Sequence, residues 1–245
     1  MQLITDLLPL GHKECVAILG SGGKTSLLWL LARKYANGKT LVSTTTKIEF
    51  HPSLPYDYLL SSEQQLSTFQ PEQARAYLIA DFIQGGTKLA ALPEKLLAQL
   101  VPRFDRVLLE ADGAKRLPLK GWESFEPVVP PYTTMTIGLL PISAVGKIAS
   151  DESIHRFPLF SKLTGIQKGE AVTLRQLAGV IIHPEGMMKK ATGKKILFLN
   201  QADTPKDYAY ARELTEQLPQ EFLSTLDCVL AGSIQNRQGE ILWKS

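Results

Sequence analysis

A glycine-rich turn between an apolar strand and an amphipathic helix constrains this chain more than any other feature. The stretch covers residues 15–36 and reads CVAILGSGGKTSLLWLLARKYA. Gly20, Gly22 and Gly23 permit backbone conformations that residues with a Cβ resist, so successive N–H groups can converge on one point ahead of the helix. The helix N-terminus adds unpaired N–H groups and the positive end of its dipole. The turn therefore predicts a binding site for an anion.

The residues that follow the glycines indicate that this anion is a nucleoside triphosphate. Lys24 would supply a mobile positive charge for the β- and γ-phosphates, and the Thr25 hydroxyl can reach a magnesium ion. Ile18 stands where the standard phosphate-binding loop has its first glycine, so we expect a shorter or differently wrapped loop. The alternative is a tight turn with a solvated lysine. The residues expected to hold nucleotide here are Gly20, Ser21, Gly22, Gly23, Lys24, Thr25 and Ser26.

Composition places few limits on function. The chain has 245 residues and a net charge of +3, which predicts one soluble domain over residues 1–245 and gives no reason to expect a nucleic-acid or membrane partner. No apolar run is long enough to span a bilayer and the N-terminus lacks signal-peptide features, so we expect a cytoplasmic protein. Cys15 and Cys228 open apolar runs and are expected to be buried and reduced. The four histidines show no metal-ligand spacing.

Two carboxylates at the end of a predicted strand form the second informative feature. Residues 106–120 read RVLLEADGAKRLPLK, and strand alternation would direct Glu110 and Asp112 to the same face. Buried carboxylates need a counter-charge. We expect Glu110 to hold Mg²⁺ together with Thr25, and Asp112 to order the attacking water or a second substrate. A purely structural pair is the alternative.

Two further polar segments are expected at the same carboxyl edge of the sheet. Residues 44–47, Thr-Thr-Thr-Lys, follow the second strand, and Lys47 is a candidate catalytic residue that contacts the γ-phosphate or a second substrate. Asn200 and Asp203 lie in Asn-Gln-Ala-Asp after another strand, where GTPases carry Asn-Lys-x-Asp to bind guanine. Glutamine in place of lysine leaves the choice between GTP and ATP open. The alternatives are ordinary strand threonines and a polar turn, and residues 84–87, Gln-Gly-Gly-Thr, are either a further ligand loop or a turn.

Several motifs in order resemble those of the YqeC-type proteins, which are described as accessory proteins of selenium-dependent molybdenum hydroxylases. The motifs run along nearly the whole chain: residues 20–25, 43–47, 110–115, 118–120, 126–127, 155–156, 165, 183–186 and 199–203. The resemblance implies a role in forming a selenium-containing cofactor. It also implies a partner, either such a hydroxylase or its cofactor.

These features together predict an α/β fold of the P-loop NTPase type, with a mostly parallel sheet flanked by helices. Residues 113–193 are expected to be the family-specific part, with one helix over residues 153–163 and another over residues 173–182 that opens with Thr173 as its cap. The leading hypothesis is a magnesium-dependent protein that binds and hydrolyses GTP or ATP, with Lys24, Asp112 and Lys47 as catalytic residues. A second hypothesis is an ATP-dependent ligase, because the short loop is similar to that of Mur-type amide ligases. A third is a non-catalytic scaffold or metallochaperone that binds nucleotide only as a switch controlling a partner.

Overall fold

The structure is a computed structural model, and it describes residues 1–49, 58–60, 63–82 and 88–245. The predicted loop at residues 84–87 and the histidine at position 51 lie outside these ranges. The strands are β1 (Gln2–Leu3), β2 (Glu14–Gly20), β3 (Lys39–Thr44), β4 (Ile48–Glu49), β5 (Tyr58–Leu60), β6 (Arg75–Ile79), β7 (Asp81–Phe82), β8 (Lys88–Ala90), β9 (Arg106–Glu110), β10 (Leu119–Lys120), β11 (Met135–Pro141), β12 (Ile154–His155), β13 (Lys194–Asn200), β14 (Cys228–Ser233) and β15 (Gln238–Lys244). The α-helices are α1 (Ile4–Leu7), α2 (Lys24–Lys34), α3 (Glu63–Thr68), α4 (Glu94–Leu100), α5 (Phe157–Thr164), α6 (Leu174–Ile182), α7 (Pro205–Gln217) and α8 (Gln220–Leu223).

One large sheet organises the described residues, with β2 near its centre. It has ten strands in the order β5-β6-β3-β9-β2-β11-β13-β14-β15-β1. Neighbours from β5 to β14 run parallel, whereas β15 and β1 are antiparallel additions at one edge. The carboxyl ends of the parallel strands therefore meet at one edge of the sheet. The predicted α/β architecture with a mostly parallel sheet is confirmed.

The sheet is covered by helices on both faces. Every residue of β2 is buried, as expected for a strand with both faces packed. Ala17 and Leu19 belong to an apolar cluster that includes side chains of α5, α6 and α7. Val16 and Ile18 belong to the opposite cluster, which includes α2. Successive side chains of β2 therefore point to opposite faces of the sheet, and the strand that precedes the glycine-rich loop is packed on both sides.

The segment expected to be family-specific, residues 113–193, contributes to the centre of the sheet. Its strand β11 lies between β2 and β13. A helix predicted over residues 153–163 is wrong at its start, because β12 pairs with β10 there and α5 begins only at Phe157. Pro158 fits the first turn of α5 because that turn needs no N–H from it.

Both cysteines are free and buried, as predicted. Burial raises the pKa of Cys15 to about 12 and that of Cys228 to about 11. None of the helices in the described ranges has the length and apolar character that crossing a bilayer requires.

Candidate functional site

The glycine-rich loop is short because the position where the standard loop has its first glycine lies inside a strand and is occupied by an isoleucine. Ile18 is part of β2 and pairs in register with Glu110 of β9. The strand continues to Gly20 and α2 begins at Lys24, so residues 21–23 make the whole connection. The sequence-based expectation of a shorter loop is confirmed.

Two of the loop glycines are required by close contacts as well as by backbone conformation. Gly20 has φ of +97°, and a Cβ there would lie 2.1 Å from the carbonyl oxygen of Leu139 on the neighbouring β11. Gly23 has φ of +128°, and a Cβ there would lie 2.7 Å from the amide nitrogen of Asn200. Side chains at either position would displace the loop.

The backbone amides of residues 22–26 form the candidate anion-binding element. Within the described part of the chain, none of these N–H groups has a hydrogen-bond partner. By contrast, the N–H of Ser21 donates to Leu139 O at 2.9 Å and still belongs to the sheet. Unpaired amides at the start of a helix, together with its dipole, favour a bound phosphate.

Lys24 is held in place by the protein, so the expectation of a mobile charge is wrong. Its side chain is 4% exposed, and Nζ donates to Gly20 O at 2.7 Å. The same Nζ lies 3.3 Å from Asp112 Oδ1 and 3.6 Å from Glu110 Oε1. Burial by itself would lower the pKa of Lys24, but the two carboxylates outweigh it and the pKa is raised. The ammonium is therefore charged and oriented before any ligand arrives.

Thr25 and Glu110, the residues predicted to hold magnesium, are brought together. Thr25 Oγ1 donates to Glu110 Oε2 at 2.8 Å. Burial raises the pKa of Glu110 more than Lys24 and Thr25 lower it, so this carboxylate lacks a full counter-charge. Among the described residues no group of three His, Cys, Asp or Glu side chains could form a metal cage. One hydroxyl and one carboxylate fit Mg²⁺, which usually takes its other ligands from phosphates and water.

Asp112 is fully buried and surrounded by donors. Its oxygens accept from Gly20 N at 3.1 and 3.0 Å and from Trp122 Nε1 at 2.7 Å. Lys24 and Lys120 lie at 3.3 and 3.2 Å. Burial would raise the pKa of Asp112, but the two lysines and the hydrogen bonds outweigh it and the pKa is lowered. Asp112 therefore positions Gly20 and Lys24, while its predicted role towards an attacking water stays a prediction.

A second group of charged residues continues from Asp112 and lies outside the predicted nucleotide site. Lys120 is fully buried and reaches Gly113 O at 2.6 Å and Glu126 Oε2 at 2.9 Å. The same Glu126 oxygen accepts from Arg156 Nη1. The signal available in the sequence was the tryptophan after Gly121, because a buried indole N–H needs an acceptor.

The predicted segment 44–47 lies beside the end of β9. Thr44 Oγ1 and Thr45 N both donate to the backbone oxygen of Glu110, each at 3.0 Å. Lys47 is exposed, and its backbone oxygen approaches Gly113. The segment is thus next to the carboxylate pair, and the catalytic role of Lys47 stays a prediction.

Asn200 connects the loop to the end of β14. Its Nδ2 donates to Gly22 O at 2.7 Å, and its Oδ1 accepts from Ile234 N at 3.1 Å. Gln201 Nε2 reaches the same Gly22 oxygen at 3.3 Å. Asn200 therefore supports the glycine-rich loop directly, a role the motif alone did not reveal.

A cavity of about 450 Å³ opens beside the loop, on the side of Asn200 and Asp203. Gly22 and Gly23 form its end nearest the phosphate loop, and Asp203 lines its wall. Asp203 Oδ1 accepts from Asn236 Nδ2 at 3.3 Å. The volume is in the range of ligand pockets and the position continues from the amides of the loop. Of the predicted nucleotide-binding residues, the structure thus places Gly22, Gly23, Ser26, Asn200 and Asp203 around one space.

The fold and this site define an α/β protein whose sheet and strand-loop-helix unit are compatible with the P-loop NTPase-like class. The chain belongs to the YqeC family, since the family model described as "YqeC protein" matches residues 16–158. It is 26% identical over 239 residues to "Uncharacterized protein YqeC" from Escherichia coli (strain K12), which covers 95% of this chain and 92% of that protein. The resemblance predicted from the motifs is confirmed.

Proposed function

We propose that this protein binds a nucleoside triphosphate, GTP or ATP, with Mg²⁺ and hydrolyses it. One observation carries the proposal: a buried, charged lysine and a Thr25–Glu110 pair lie beside the five amides of residues 22–26, which have no partner among the residues that the structure describes. A merely structural turn would need neither the buried charge nor the carboxylate at the end of β9.

The residues of the site suit the charge that develops during phosphoryl transfer. The amides of the loop and Lys24 would stabilise negative charge on the β- and γ-phosphates. Thr25 and Glu110 would hold Mg²⁺, which when bound neutralises charge on the phosphate oxygens. Asp112 keeps Gly20 and Lys24 in place, so little reorganisation would be needed when the ligand binds.

Calorimetric titration with GTP, ATP and their non-hydrolysable analogues in the presence of Mg²⁺ tests the proposal. The native protein should bind one of these nucleotides, and Lys24→Ala should weaken binding by about 100-fold or more, because a charged phosphate contact is lost. Lys34→Ala is the matched control, since Lys34 lies on the same helix but pairs with exposed Asp6. If no nucleotide binds to the native protein, the proposal is wrong.

A second candidate, an ATP-dependent ligase of the Mur type, is favoured by the short loop with Ile18 inside β2. Its test is phosphate release that depends on an added acid and an added amine. Release that is unaffected by either would exclude the ligase and leave simple hydrolysis.

We further propose, on the resemblance to the YqeC-type proteins, that hydrolysis serves the maturation of a selenium-dependent molybdenum hydroxylase. The expected result is that a strain carrying Lys24→Ala makes this hydroxylase without its selenium. If the hydroxylase from this strain contains as much selenium as the hydroxylase from the native strain, the nucleotide site has no role in that maturation.

A further inference from the structure

A cluster of basic residues lies next to the phosphate loop and is not used by the proposed nucleotide site. The segment that carries it is tied to the loop, because Ser21 Oγ donates to Pro118 O at 2.7 Å. Two residues later, Lys120 of β10 pairs in register with His155 of β12. Paired residues of neighbouring strands lie side by side on the same face. His155 is thus one strand away from the lysine that contacts Asp112.

Arg156 is fixed beside this pair by a buried carboxylate. Glu126 Oε2 accepts from Arg156 Nη1 and from Lys120 Nζ, so two cations converge on one oxygen. The Arg156 side chain is 24% exposed, and Nε lies 3.5 Å from Glu123 Oε1. Its other terminal nitrogen, Nη2, has no partner within the described residues, and it can still donate to a ligand.

Lys115 completes the cluster, because it lies near enough to His155 for its charge to lower the pKa of that imidazole. In the described ranges, the ammonium of Lys115 makes no hydrogen bond or ion pair, and the imidazole of His155 makes no hydrogen bond. Lys115 and Arg156 both have positive φ, 48° and 56°, which residues with a Cβ adopt at an energetic cost. Such strained conformations concentrate at functional sites.

We propose that Lys115, His155 and Arg156 form a second anion-binding site, which takes a carboxylate or phosphate group of a second substrate beside the nucleotide. The proposal deepens the proposed function by naming the chemical class of that substrate, and in that respect rests on it. Anion binding itself requires only the three side chains. The donors Nη2 of Arg156 and Nζ of Lys115 would contact the anion.

His155 gives this site a measurable signature. Burial, Arg156, Lys120 and Lys115 lower the pKa of His155 to about 4, and Glu126 opposes them only in part. The imidazole is therefore neutral at pH 7. An anion bound among these cations would add the missing negative charge and raise the pKa of His155.

The test is an NMR titration of the imidazole signals of the full-length protein, with His155 assigned by the His155→Gln variant. Inorganic phosphate and acetate are added in separate experiments, and the other three histidines serve as internal references. The expected result is a rise of about one to three pH units in the pKa of His155 with one anion. A larger rise with phosphate identifies a phosphate-bearing substrate, and a larger rise with acetate identifies a carboxylate.

A variant separates this site from the phosphate loop, which can also bind phosphate. Lys115→Ala should reduce the anion-dependent rise, whereas Lys147→Ala, another exposed lysine, should leave it unchanged. An unchanged pKa of His155 in both anions, or the same rise in Lys115→Ala as in the native protein, would overturn the proposal. Nucleotide binding is measured on the same samples. Nucleotide binding without a response of His155 refutes only the second site, and the reverse result refutes only the nucleotide site.

Discussion

At the scale of single residues, the site depends on alternating charges that are almost completely removed from solvent. Lys24, Asp112, Lys120 and Glu126 follow one another with separations of 2.9 to 3.3 Å between charged atoms. Removing one member of such a buried set leaves its neighbours uncompensated, which costs more than the pair contributes. Most single substitutions here should therefore reduce stability together with binding, and controls must separate the two.

Trp122 gives the clearest prediction at this scale. Trp122→Phe keeps an aromatic ring but removes the N–H that donates to Asp112 at 2.7 Å. We expect a loss of about 1–3 kcal/mol in the free energy of unfolding, because a buried carboxylate loses a hydrogen bond. Urea denaturation measures this loss. Trp243→Phe is the control, since its indole N–H has no partner within the described residues. Equal losses in the two variants would contradict the assigned role.

Sequence reasoning found the residues whose chemistry is local to a motif. Lys24, Thr25 and Glu110 come together as expected because a strand-loop-helix unit and a strand end define their positions. It did not predict the ion pairs of Glu126, because Arg156 is 30 positions away along the chain and no spacing rule links Glu126 to Lys120, six positions before it. Burial of Lys120 was not predicted, since lysines are almost never fully buried unless paired.

At the scale of elements, Asp105 joins the amino ends of three segments at the edge opposite the site. Its carboxylate accepts from Lys39 N at 2.8 Å, and its backbone N–H donates to Lys39 O at 2.8 Å. Its backbone oxygen accepts from Lys13 N at 2.6 Å. One aspartate thus holds the starts of β3 and β9 beside the residue that precedes β2.

This arrangement predicts a pH-dependent contribution to stability. The hydrogen bond from Lys39 N is the main cause of a lowered pKa of Asp105, with smaller contributions from His12 and Lys13 that act against partial burial. The stabilisation should be complete above the ordinary aspartate pKa of about 3.9 and should disappear as pH falls through the lower folded-state value. Asp105→Ala should cost about 1–2 kcal/mol at neutral pH and much less in acid.

Chemical denaturation of Asp105→Ala at several pH values checks this expectation. Asp151→Ala is the control because Asp151 is 63% exposed and, in the described part of the chain, pairs only with the exposed Lys168. A cost of Asp105→Ala that stays constant from neutral to acidic pH would exclude the carboxylate as its source.

Element positions were predictable where strands are apolar and helices carry start signals. Thr173 precedes α6 as predicted, and Gln176 Oε1 accepts from its backbone N–H at 2.9 Å. The error at residues 153–156 has a physical cause. The short strand β12 forms only because β10 is beside it, and a two-residue pairing leaves no periodic pattern in the sequence.

At the scale of the whole molecule, the reactivity of the two buried cysteines measures whether the core is packed. Cys15 begins the central part of the sheet on β2 and Cys228 begins β14. Burial and raised pKa values keep both as protonated thiols at neutral pH. We expect no rapid reaction of the native protein with a thiol reagent and reaction of two thiols after denaturation. Rapid labelling of the native protein would contradict this packing.

The strand order could not be derived from the sequence. Alternating strands and helices predict a parallel sheet, but the neighbours of β2 are β9 and β11, which come from distant parts of the chain. Both neighbouring strands matter for the candidate site. β9 brings Glu110 and Asp112 to the loop, and β11 brings the Leu139 oxygen that accepts from Ser21 N.

The pairing of Gly20 N with Asp112 has a consequence for how the protein would acquire the proposed capacity to bind a phosphate. The two residues are 92 positions apart, so the conformation of the loop depends on a contact between residues that are far apart in the sequence. During synthesis, the glycine-rich stretch leaves the ribosome long before the partner that fixes its shape. A peptide of residues 15–36 alone should therefore bind no phosphate, and affinity for the ligand should appear late and cooperatively, as a property of the folded sheet.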